Sequence, residues 1–578
     1  MGDADRIFPQ CNDQAGSRGD CFYRTRLLAK DSCRAKADLA WEESRAVRSR
    51  KPRRHGNVDR CCRRGPSFIL LHCPSVIRPS ASLSSGRGVT ADIMLTRRQL
   101  ILGGAGFTAG AGLMTLGGRR LFPAPAAAAE AGSARNVAVH LVAAERQTAL
   151  PCFAGHSLPL WTYSEAAWPP TIRIDRGDRL DVVLDNRLPR DGEHTSIHWH
   201  GVRVPNDQDG VPYLVQPPVA PGESFRYSFA PPDTGTFFFH SHCNSSEQLG
   251  RGLVGILIVD GDAVEPYAAD QTLVLHDWLM DTDAGTFRGF KTKRGADRAG
   301  TYGNIRSANG VSDAEIRLPA SSDCRVRLIN VDPTRIMEVA VVGADAAIIA
   351  VDGNPLPPVP LDGWLLGPAM RLDLALRAPK EGGEAALVDR RQDEPVRLAR
   401  FVGVGSSAPA KSFDPRPLRA GRIPEPDLAA AERLSFTFGR ADSGGAPIAV
   451  SDVASGLPIG PICTASDHFW TINGRSWPDS GHAVIPPPLA TLQRGRSYVF
   501  ELQNTTDFLH PVHIHGHTFK VLRADRRSQP IHYADTVLVT PEETVEIAFV
   551  ADNPGRWMMH CHVIEHQETG MMGYLQVG

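Results

Sequence analysis

The sequence predicts an all-β protein made of three similar sandwich or barrel domains, and three observations lead to this prediction. From about residue 131 onward, helical periodicity is weak and many short runs alternate apolar and polar residues, as half-buried strands do. The chain also contains 54 Gly and 45 Pro, which favour frequent turns between short strands. Finally, one pattern of segments occurs three times along the chain, as it does in proteins built from repeated β domains.

The repeated pattern locates the three domains. The run "TIRIDRGDRLDVVLDNRL" at 171–188 matches "ATLQRGRSYVFELQNTT" at 490–506, and "PASSDCRVRLINVD" at 319–332 is a fainter third copy. We therefore predict domains at 135–262, 263–410 and 430–578.

The outer copies differ from the middle copy in a way that concerns function. Gly235 and Gly555 each lie five residues before a His, whereas Gly383 of the middle copy is followed five residues later by Val388. The outer two domains therefore have histidines at matched positions, and we expect no metal ligands from the middle domain.

The first 130 residues differ from the rest of the chain. Residues 1–93 are Arg-rich, show no strand or helix pattern and hold six of the eleven Cys. A disulfide or zinc module is conceivable there, but no repeated C-x2-C pair supports zinc. We interpret this stretch as an upstream extension that precedes the true start at Met94.

Residues 94–130 resemble a twin-arginine signal peptide, the bacterial export signal for folded proteins. Arg97 and Arg98 precede an apolar run, Ile101 to Leu116, which is shorter than the roughly 20 residues needed to span a bilayer. Small residues suited to cleavage follow near Ala129. We therefore expect export through the twin-arginine machinery to the periplasm, with no stable membrane anchor after cleavage.

Composition limits the classes of partner. A formal net charge of −1 suggests no nucleic-acid or polyanion partner, and we expect a monomer. Export would permit disulfides, but the sequence leaves open how Cys152, Cys243, Cys324 and Cys463 pair.

Histidines cluster in four short motifs, "HWHG" (198–201), "HSH" (240–242), "HPVHIHGH" (510–517) and "HCHVIEHQETGM" (560–571). Residues i and i+2 of a strand face the same side, so each His-x-His pair offers two imidazoles to one site. A single strand His is usually a hydrogen-bonded structural residue, but pairs that recur at matched places in duplicated domains argue for ligands. Aligning the outer copies predicts one site between the first and third domains, formed by His198, His200, His240, His242, His513, His515, His560 and His562.

Cys561 lies between two of these histidines and therefore points to the opposite face of its strand. It would serve a different metal, for which the remaining candidate ligands are His510, His566 and Met571. Two imidazoles, a thiolate and a long thioether are the ligands of a blue copper centre. A disulfide at Cys561 would leave this arrangement unexplained, and zinc would have no redox use for it.

The four motifs in combination resemble those of the multicopper oxidases, which include laccases, copper-efflux oxidases, ascorbate oxidase and ferroxidases. The resemblance covers 138–578 and implies three cupredoxin-like Greek-key domains, four copper ions, and reduction of O2 to water with electrons from a small reducing substrate or metal ion. It implies that His560, Cys561 and His562 conduct electrons between two copper sites. The implied ligands are His510, Cys561, His566 and Met571 for the type 1 copper, His198 and His513 for type 2, and His200, His240, His242, His515, His560 and His562 for the type 3 pair.

Acidic residues near the motifs are candidates for proton delivery, because O2 reduction consumes protons. Asp209 stands where the family has such an acid, although it could simply form a turn before Gly210. Gln567 occupies a position where several bacterial relatives have an acid, which leaves a second proton donor open. We interpret Asp535 as a residue that orders strands near the site, and His517 as lying outside the ligand set.

The donor substrate is the least determined feature. No Met-rich stretch lies apart from the last motif, which weakens a cuprous oxidase. We therefore favour a laccase-like oxidase of phenols or aromatic amines, with cuprous or ferrous oxidation as the alternative. A copper-free structural relative is disfavoured because every ligand position is filled.

Overall fold

The computed structural model describes residues 134–405, 412–441, 468–477 and 485–578, which belong to a single unit. The predicted extension, the signal peptide and Cys463 lie outside the described residues. Among the described residues, no helix has the length and apolar character required to cross a membrane.

The first part of the chain forms two four-stranded sheets. Its strands are β1 (Asn136–Thr148), β2 (Leu158–Thr162), β3 (Thr171–Asp175), β4 (Arg179–Arg187), β5 (His198–His200), β6 (Ser224–Phe229), β7 (Gly235–His240) and β8 (Val254–Asp260), and helix α1 (Ser245–Gly250) follows β7. The sheet orders are β2-β1-β4-β6 and β3-β8-β7-β5. The β1–β4 and β3–β8 pairs are parallel and the other pairs antiparallel.

The middle part forms a six-stranded and a five-stranded sheet, a two-stranded hairpin and one short helix. Its elements are β9 (Asp270–Trp278), β10 (Met280–Asp281), β11 (Thr286–Phe287), α2 (Lys293–Ala296), β12 (Ile305–Ala308), β13 (Ala314–Pro319), β14 (Asp323–Asn330), β15 (Met337–Val342), β16 (Ala346–Val351), β17 (Asn354–Pro360), β18 (Trp364–Leu366), β19 (Arg371–Arg377), β20 (Glu384–Asp389) and β21 (Val396–Val404). The sheet orders are β12-β9-β14-β19-β16-β17 and β13-β21-β20-β15-β18, with β10 and β11 paired separately.

The last part repeats the same plan. Its elements are β22 (Glu432–Arg440), β23 (Trp470–Ile472), β24 (Ala490–Leu492), β25 (Ser497–Asn504), β26 (His510–Ile514), β27 (Phe519–Ala524), β28 (His532–Ala534), β29 (Thr536–Val539), β30 (Thr544–Val550), β31 (Gly555–Cys561), α3 (Ile564–Glu568) and β32 (Met572–Val577). The sheet orders are β23-β22-β25-β30-β27-β28 and β24-β32-β31-β26-β29. The predicted all-β class is therefore confirmed, and the sheets fall into three pairs along the chain.

The repeated sequence pattern has a structural basis at one asparagine in each part. Asn186 is the penultimate residue of β4, whose Leu180, Val182 and Leu184 are buried, and its amide donates to the carbonyls of Glu193 and Val219. Asn330 and Asn504 occupy the equivalent strand ends and make matching amide-to-carbonyl bonds. Each asparagine satisfies buried carbonyls of the chain that crosses from one sheet to the other.

Candidate metal centres

Two pairs of neighbouring strands place the eight predicted histidines. Strand β5 pairs with β7 so that His198 lies opposite His240, and β26 pairs with β31 so that His513 lies opposite His560. The second His of the motif ends β5 and lies just past the end of the other three strands. The structure brings together all eight side chains, each at most 1% exposed, and we call them the eight-histidine cluster: His198, His200, His240, His242, His513, His515, His560 and His562.

The cluster lies between the first and third parts of the chain. The rings of His198 and His515 stack with centroids 3.8 Å apart, and those of His200 and His513 stack at the same distance. His242 and His560 also approach each other, at 5.2 Å. Neither part alone contains a complete set, so the site requires both.

In most of these rings, the nitrogen that faces away from the middle of the cluster is hydrogen-bonded to an oxygen. Nδ1 of His240 donates to the carbonyl of Ser241 at 3.0 Å, and Nδ1 of His513 donates to the carbonyl of Asp535 at 2.8 Å. Nδ1 of His560 donates likewise to the carbonyl of Cys561 at 3.0 Å. Since a carbonyl can only accept, each ring must have its proton on Nδ1, which leaves the Nε2 lone pair free to bind a metal.

Several nitrogens that face the middle of the cluster make no hydrogen bond. Nε2 of His198, His240 and His513 and Nδ1 of His200 are buried without a hydrogen bond. Nε2 of His515 and Nε2 of His560 face each other at 3.1 Å, and because both rings use Nδ1 as a donor, two lone pairs meet there. Buried lone pairs that converge in this way need cations between them, so the residues fit metal ions. Burial also lowers the pKa of His200, His240, His515 and His560, which favours their neutral forms.

A second group, which we call the thiolate site, consists of His510, Cys561 and His566. Sγ of Cys561 lies 3.5 Å from Nδ1 of His510 and 3.6 Å from Nδ1 of His566. The two Nδ1 atoms are 3.2 Å apart, and all three residues are fully buried. Burial raises the pKa of the Cys561 thiol, so deprotonation there requires a cation close to the sulfur.

Met571, the fourth predicted ligand of this site, lies directly beside it. The amide of Cys561 donates to the Met571 carbonyl at 3.1 Å, and the amide of Met571 donates to the His566 carbonyl at 2.9 Å. The Met571 side chain is fully buried in the hydrophobic cluster that also contains Cys561.

Three consecutive residues connect the two sites. The side chains of His560 and His562 belong to the eight-histidine cluster, while that of the intervening Cys561 points to the opposite side and joins the thiolate site. The alternation of side chains at the end of β31 is the reason. A covalent path of a few bonds therefore connects the two candidate metal centres.

Asp209 contacts the cluster directly and also takes part in a turn. Its Oδ2 accepts from Nδ1 of His515 at 2.9 Å, and its Oδ1 lies 3.2 Å from Nδ1 of His198. Gly210 has φ +83°, and a Cβ there would lie 1.8 Å from the carbonyl oxygen of Ile197. The turn brings the chain so close to β5 that only glycine fits, and this approach delivers the Asp209 carboxylate to two cluster histidines.

One residue that reaches the site through Asp535, Arg371, could not be identified from the sequence. Asp535 accepts from Nε2 of His200 at 3.1 Å and forms a two-point ion pair with Arg371 of the middle part. The motif "HYADTVLV" drew attention to Asp535, but nothing marked Arg371. His517 lies outside the ligand groups, and its Nδ1 donates to the carbonyl of His515 at 3.2 Å.

The middle part also covers the thiolate site. Nε2 of His566 donates to the backbone carbonyl of Arg298 at 2.5 Å, and His566 is fully buried. Arg298 belongs to residues 291–302, which include α2 and which we call the strap. Glu565 accepts from the amide of Thr292 at 3.0 Å and from the hydroxyl of Thr301 at 2.8 Å, so the α3 region holds both ends of the strap.

The family of the chain follows from its similarity to known proteins. Residues 147–263 and 463–578 match two models described as multicopper oxidase. The chain is 31% identical over 442 residues to multicopper oxidase MmcO of Mycobacterium tuberculosis, a match that covers 71% of this chain and 81% of that protein. It is 27% identical over 460 residues to Laccase-1 of Botryotinia fuckeliana, covering 72% of this chain and 78% of that one.

Solved structures give the same result. A multicopper oxidase from Pseudomonas thermotolerans is 38% identical with a TM-score of 0.67, and the match covers 77% of this chain and 100% of that one. The expected three-domain, cupredoxin-like class is therefore confirmed, and the family implies copper as the metal. Together, these matches show that the chain belongs to the multicopper oxidase family.

Proposed function

We propose that this protein oxidises a reducing substrate one electron at a time at the thiolate site and reduces O2 to water at the eight-histidine cluster. The observation that supports this proposal is at the end of β31, where Cys561 belongs to the thiolate site and its two neighbours belong to the eight-histidine cluster. We assign four ions as follows: type 1 copper to His510, Cys561, His566 and Met571, type 2 to His198 and His513, and the type 3 pair to the other six cluster histidines.

When bound, copper supplies the one-electron redox chemistry and the binding of O2. The protein residues hold the ligand nitrogens in place and manage protons. The carbonyls around the cluster fix the tautomers, while Cys561 releases its proton as it becomes a ligand. Asp209, which touches His515 and His198, is placed to hold and deliver a proton at its carboxylate oxygens.

The electron donor that we propose is a phenol or an aromatic amine. Lys293, Arg294 and Arg298 are exposed on the strap, so the surface above His566 is basic. A basic surface repels Cu⁺ or Fe²⁺ but does not repel phenols or aromatic amines, which are uncharged near neutral pH. The similarity to laccases, at 27% identity, points the same way.

Nearby carboxylates also offer little to a metal-ion substrate. Asp297 is paired with Arg440, and Glu565 binds Thr292 and Thr301 of the strap. Glu568 accepts from the amide and hydroxyl of Ser246, each at 2.8 Å. These acids are already engaged, which disfavours a ferrous or cuprous pocket formed by them.

One observation favours the alternative, oxidation of cuprous or ferrous ions. His566 is fully buried beneath the Arg298 carbonyl, so a bulky donor does not touch the ring while the strap is closed. A small ion would need less room. For a phenol, the electron would enter through the strap and the His566–Arg298 hydrogen bond, or after the strap opens.

Oxygen uptake by the copper-loaded protein tests the proposal. Uptake with a methoxyphenol, in the presence of a chelator that removes free copper, is the expected result. Uptake that appears only when free copper is added would instead identify cuprous ion as the donor. No uptake with phenols, aromatic amines, Cu⁺ or Fe²⁺ would refute the oxidase itself.

A further inference from the structure

The middle part of the chain supplies no histidine to the cluster, yet one of its charged side chains reaches it. Arg371 begins β19 and is fully buried. Its Nη1 and Nη2 donate to the two carboxylate oxygens of Asp535 at 2.8 and 2.6 Å. A planar guanidinium that meets a carboxylate at two points fixes the rotation of that carboxylate as well as its position.

Asp535 transmits this constraint to two ligand rings. Its Oδ1 accepts from Nε2 of His200 at 3.1 Å, and its backbone carbonyl accepts from Nδ1 of His513 at 2.8 Å. His200 therefore has its proton on Nε2 and directs Nδ1 inward, the reverse of His198, His240 and His513. The Asp535 carboxylate is what imposes this reversed tautomer, because it can only accept.

Further contacts leave Arg371 no alternative position. Asp352 Oδ1 accepts from the Arg371 amide at 2.8 Å, and Asp352 Oδ2 accepts from the amide of Thr536 at 3.0 Å. The Arg371 Nε donates to the carbonyl of Thr236 in the first part. At Gly201, immediately after His200, φ is +81° and a Cβ would lie 2.4 Å from both Arg371 Nη2 and Asp535 Oδ2. All three parts of the chain thus meet at this ion pair.

We propose that Arg371 is a positioning residue for the metal ions bound by His200 and His513. It holds the Asp535 carboxylate in the rotation that fixes the His200 tautomer and the His513 ring. The proposal rests on the proposed copper ligation by these two histidines. The middle domain, which contributes no metal-ligating residue, would thereby help to position the cluster.

Removal of the guanidinium tests this role through metal binding, apart from turnover. In Arg371→Met, the ions at the cluster should be lost to a chelator at a 10- to 100-fold lower concentration, the usual effect of removing a residue that orients a ligand. The type 2 electron paramagnetic resonance signal should change, while the blue absorption of the thiolate site stays. Arg371→Lys keeps the charge but loses the two-point geometry and should give a partial effect.

A matched control comes from the same domain. Arg325 is 2% exposed and forms comparable buried ion pairs with Asp262 and Asp373, but within the described part of the chain it makes no hydrogen bond to a cluster histidine. Arg325→Met should lower stability and leave the type 2 signal unchanged. Wild-type copper retention and signal in Arg371→Lys and Arg371→Met would overturn the proposal.

A second variant decides the matter if Arg371→Met does not fold. Thr536 Oγ1 lies 3.2 Å from both His200 Nε2 and His513 Nδ1 and donates to Asp535 Oδ1 at 2.9 Å. Thr536→Val keeps shape and strand preference, and it should shift the type 2 signal in the same direction as Arg371→Lys. Normal signals in both variants would reject the inference. If wild-type protein binds no copper at the cluster, the proposed function fails instead.

Discussion

At the scale of single residues, the donor pattern of each ring determines what the candidate site can bind. Main-chain carbonyls accept hydrogen bonds from the Nδ1–H groups of His240, His513 and His560, so the Nε2 lone pairs of these rings face inward. These acceptors lie on the histidines' own strands or on adjacent turns. The fold thereby presets the tautomers before a metal arrives.

Cys561 is the residue on which the thiolate site depends most. In Cys561→Ser, we expect complete loss of the intense blue absorption, because the hydroxyl does not replace the thiolate as a copper ligand. The fold should persist, with a stability cost of about 1–3 kcal/mol from a buried hydroxyl. Visible absorption and circular dichroism measure the two effects, and retained blue colour would contradict the ligand role.

Asp209 should affect oxygen reduction and leave the thiolate site alone. Asp209→Asn keeps the size of the side chain but cannot hold a proton, so we expect turnover to fall by about 100-fold, the lower end of general acid–base effects. The blue absorption should not change. Single-turnover reoxidation of the reduced protein by O2 gives the rate directly.

Asp207 provides the control for this experiment. It lies two residues away in the same turn and is exposed. Asp207→Asn should reoxidise at the wild-type rate. If Asp209→Asn also does so, then the carboxylate only orients His515 and His198.

At the scale of elements, the strap is the feature that sets donor access. Trp470 Nε1 donates to the Ala296 carbonyl at 2.6 Å, and Arg440 donates to the Asp297 carbonyl at 2.9 Å and pairs with its carboxylate. These contacts join α2 to the third part of the chain, next to His566. The strap can loosen only if they weaken.

Asp297→Ala should therefore favour bulky donors. The ion pair with Arg440 is partly exposed and contributes at most about 1 kcal/mol, so we expect a rise of about 2- to 5-fold in kcat/KM for a dimethoxyphenol. A smaller uncharged donor such as hydroquinone should show little change. Asp313→Ala, which removes an exposed pair with Arg397 elsewhere in the middle part, is the control. Equal effects on both donors would show that the strap does not select by size.

The sequence predicted the regular elements of the site but not its long-range contacts. The His-x-His motifs and the face taken by Cys561 follow from the two-residue period of a strand, and Asn186, Asn330 and Asn504 marked the repeats. Arg371 and Asp535 are 164 residues apart and belong to no repeated motif, so only the tertiary fold unites them. The strap sequence "KTKRGADRAGTY" has the composition of an ordinary polar loop, and its position over His566 depends on contacts made by α3.

At the scale of the whole molecule, duplication explains why the site lies between domains. Each outer part contributes a matched pair of strands, and neither completes a cluster alone. The middle part contributes Arg371, Asp352 and the strap. Copper binding should therefore stabilise the arrangement of all three parts, since an ion that binds only the assembled site favours the folded state.

Buried histidines should make the stability of the metal-free protein sensitive to acid. Burial lowers the pKa of His517, His532 and His566 to about 4, and it also lowers the pKa of His200, His240 and His560. In the unfolded chain these groups would take up protons near pH 6.5. Stability is therefore at its maximum above pH 6.5 and falls as the pH drops toward 4, because the unfolded state binds more protons there.

His532 isolates this effect, because it lies outside the ligand groups. Its ring packs against Trp364, and its Nδ1 donates to the Pro530 carbonyl at 2.7 Å. Between pH 7.5 and 4.5, its lowered pKa corresponds to about 2–3 kcal/mol of lost stability. Over the same pH range, the unfolding free energy of metal-free His532→Gln should fall by about 2–3 kcal/mol less than that of the wild type, as measured by urea unfolding. If His532→Gln instead keeps the wild-type pH slope, burial of this imidazole does not contribute to the acid sensitivity.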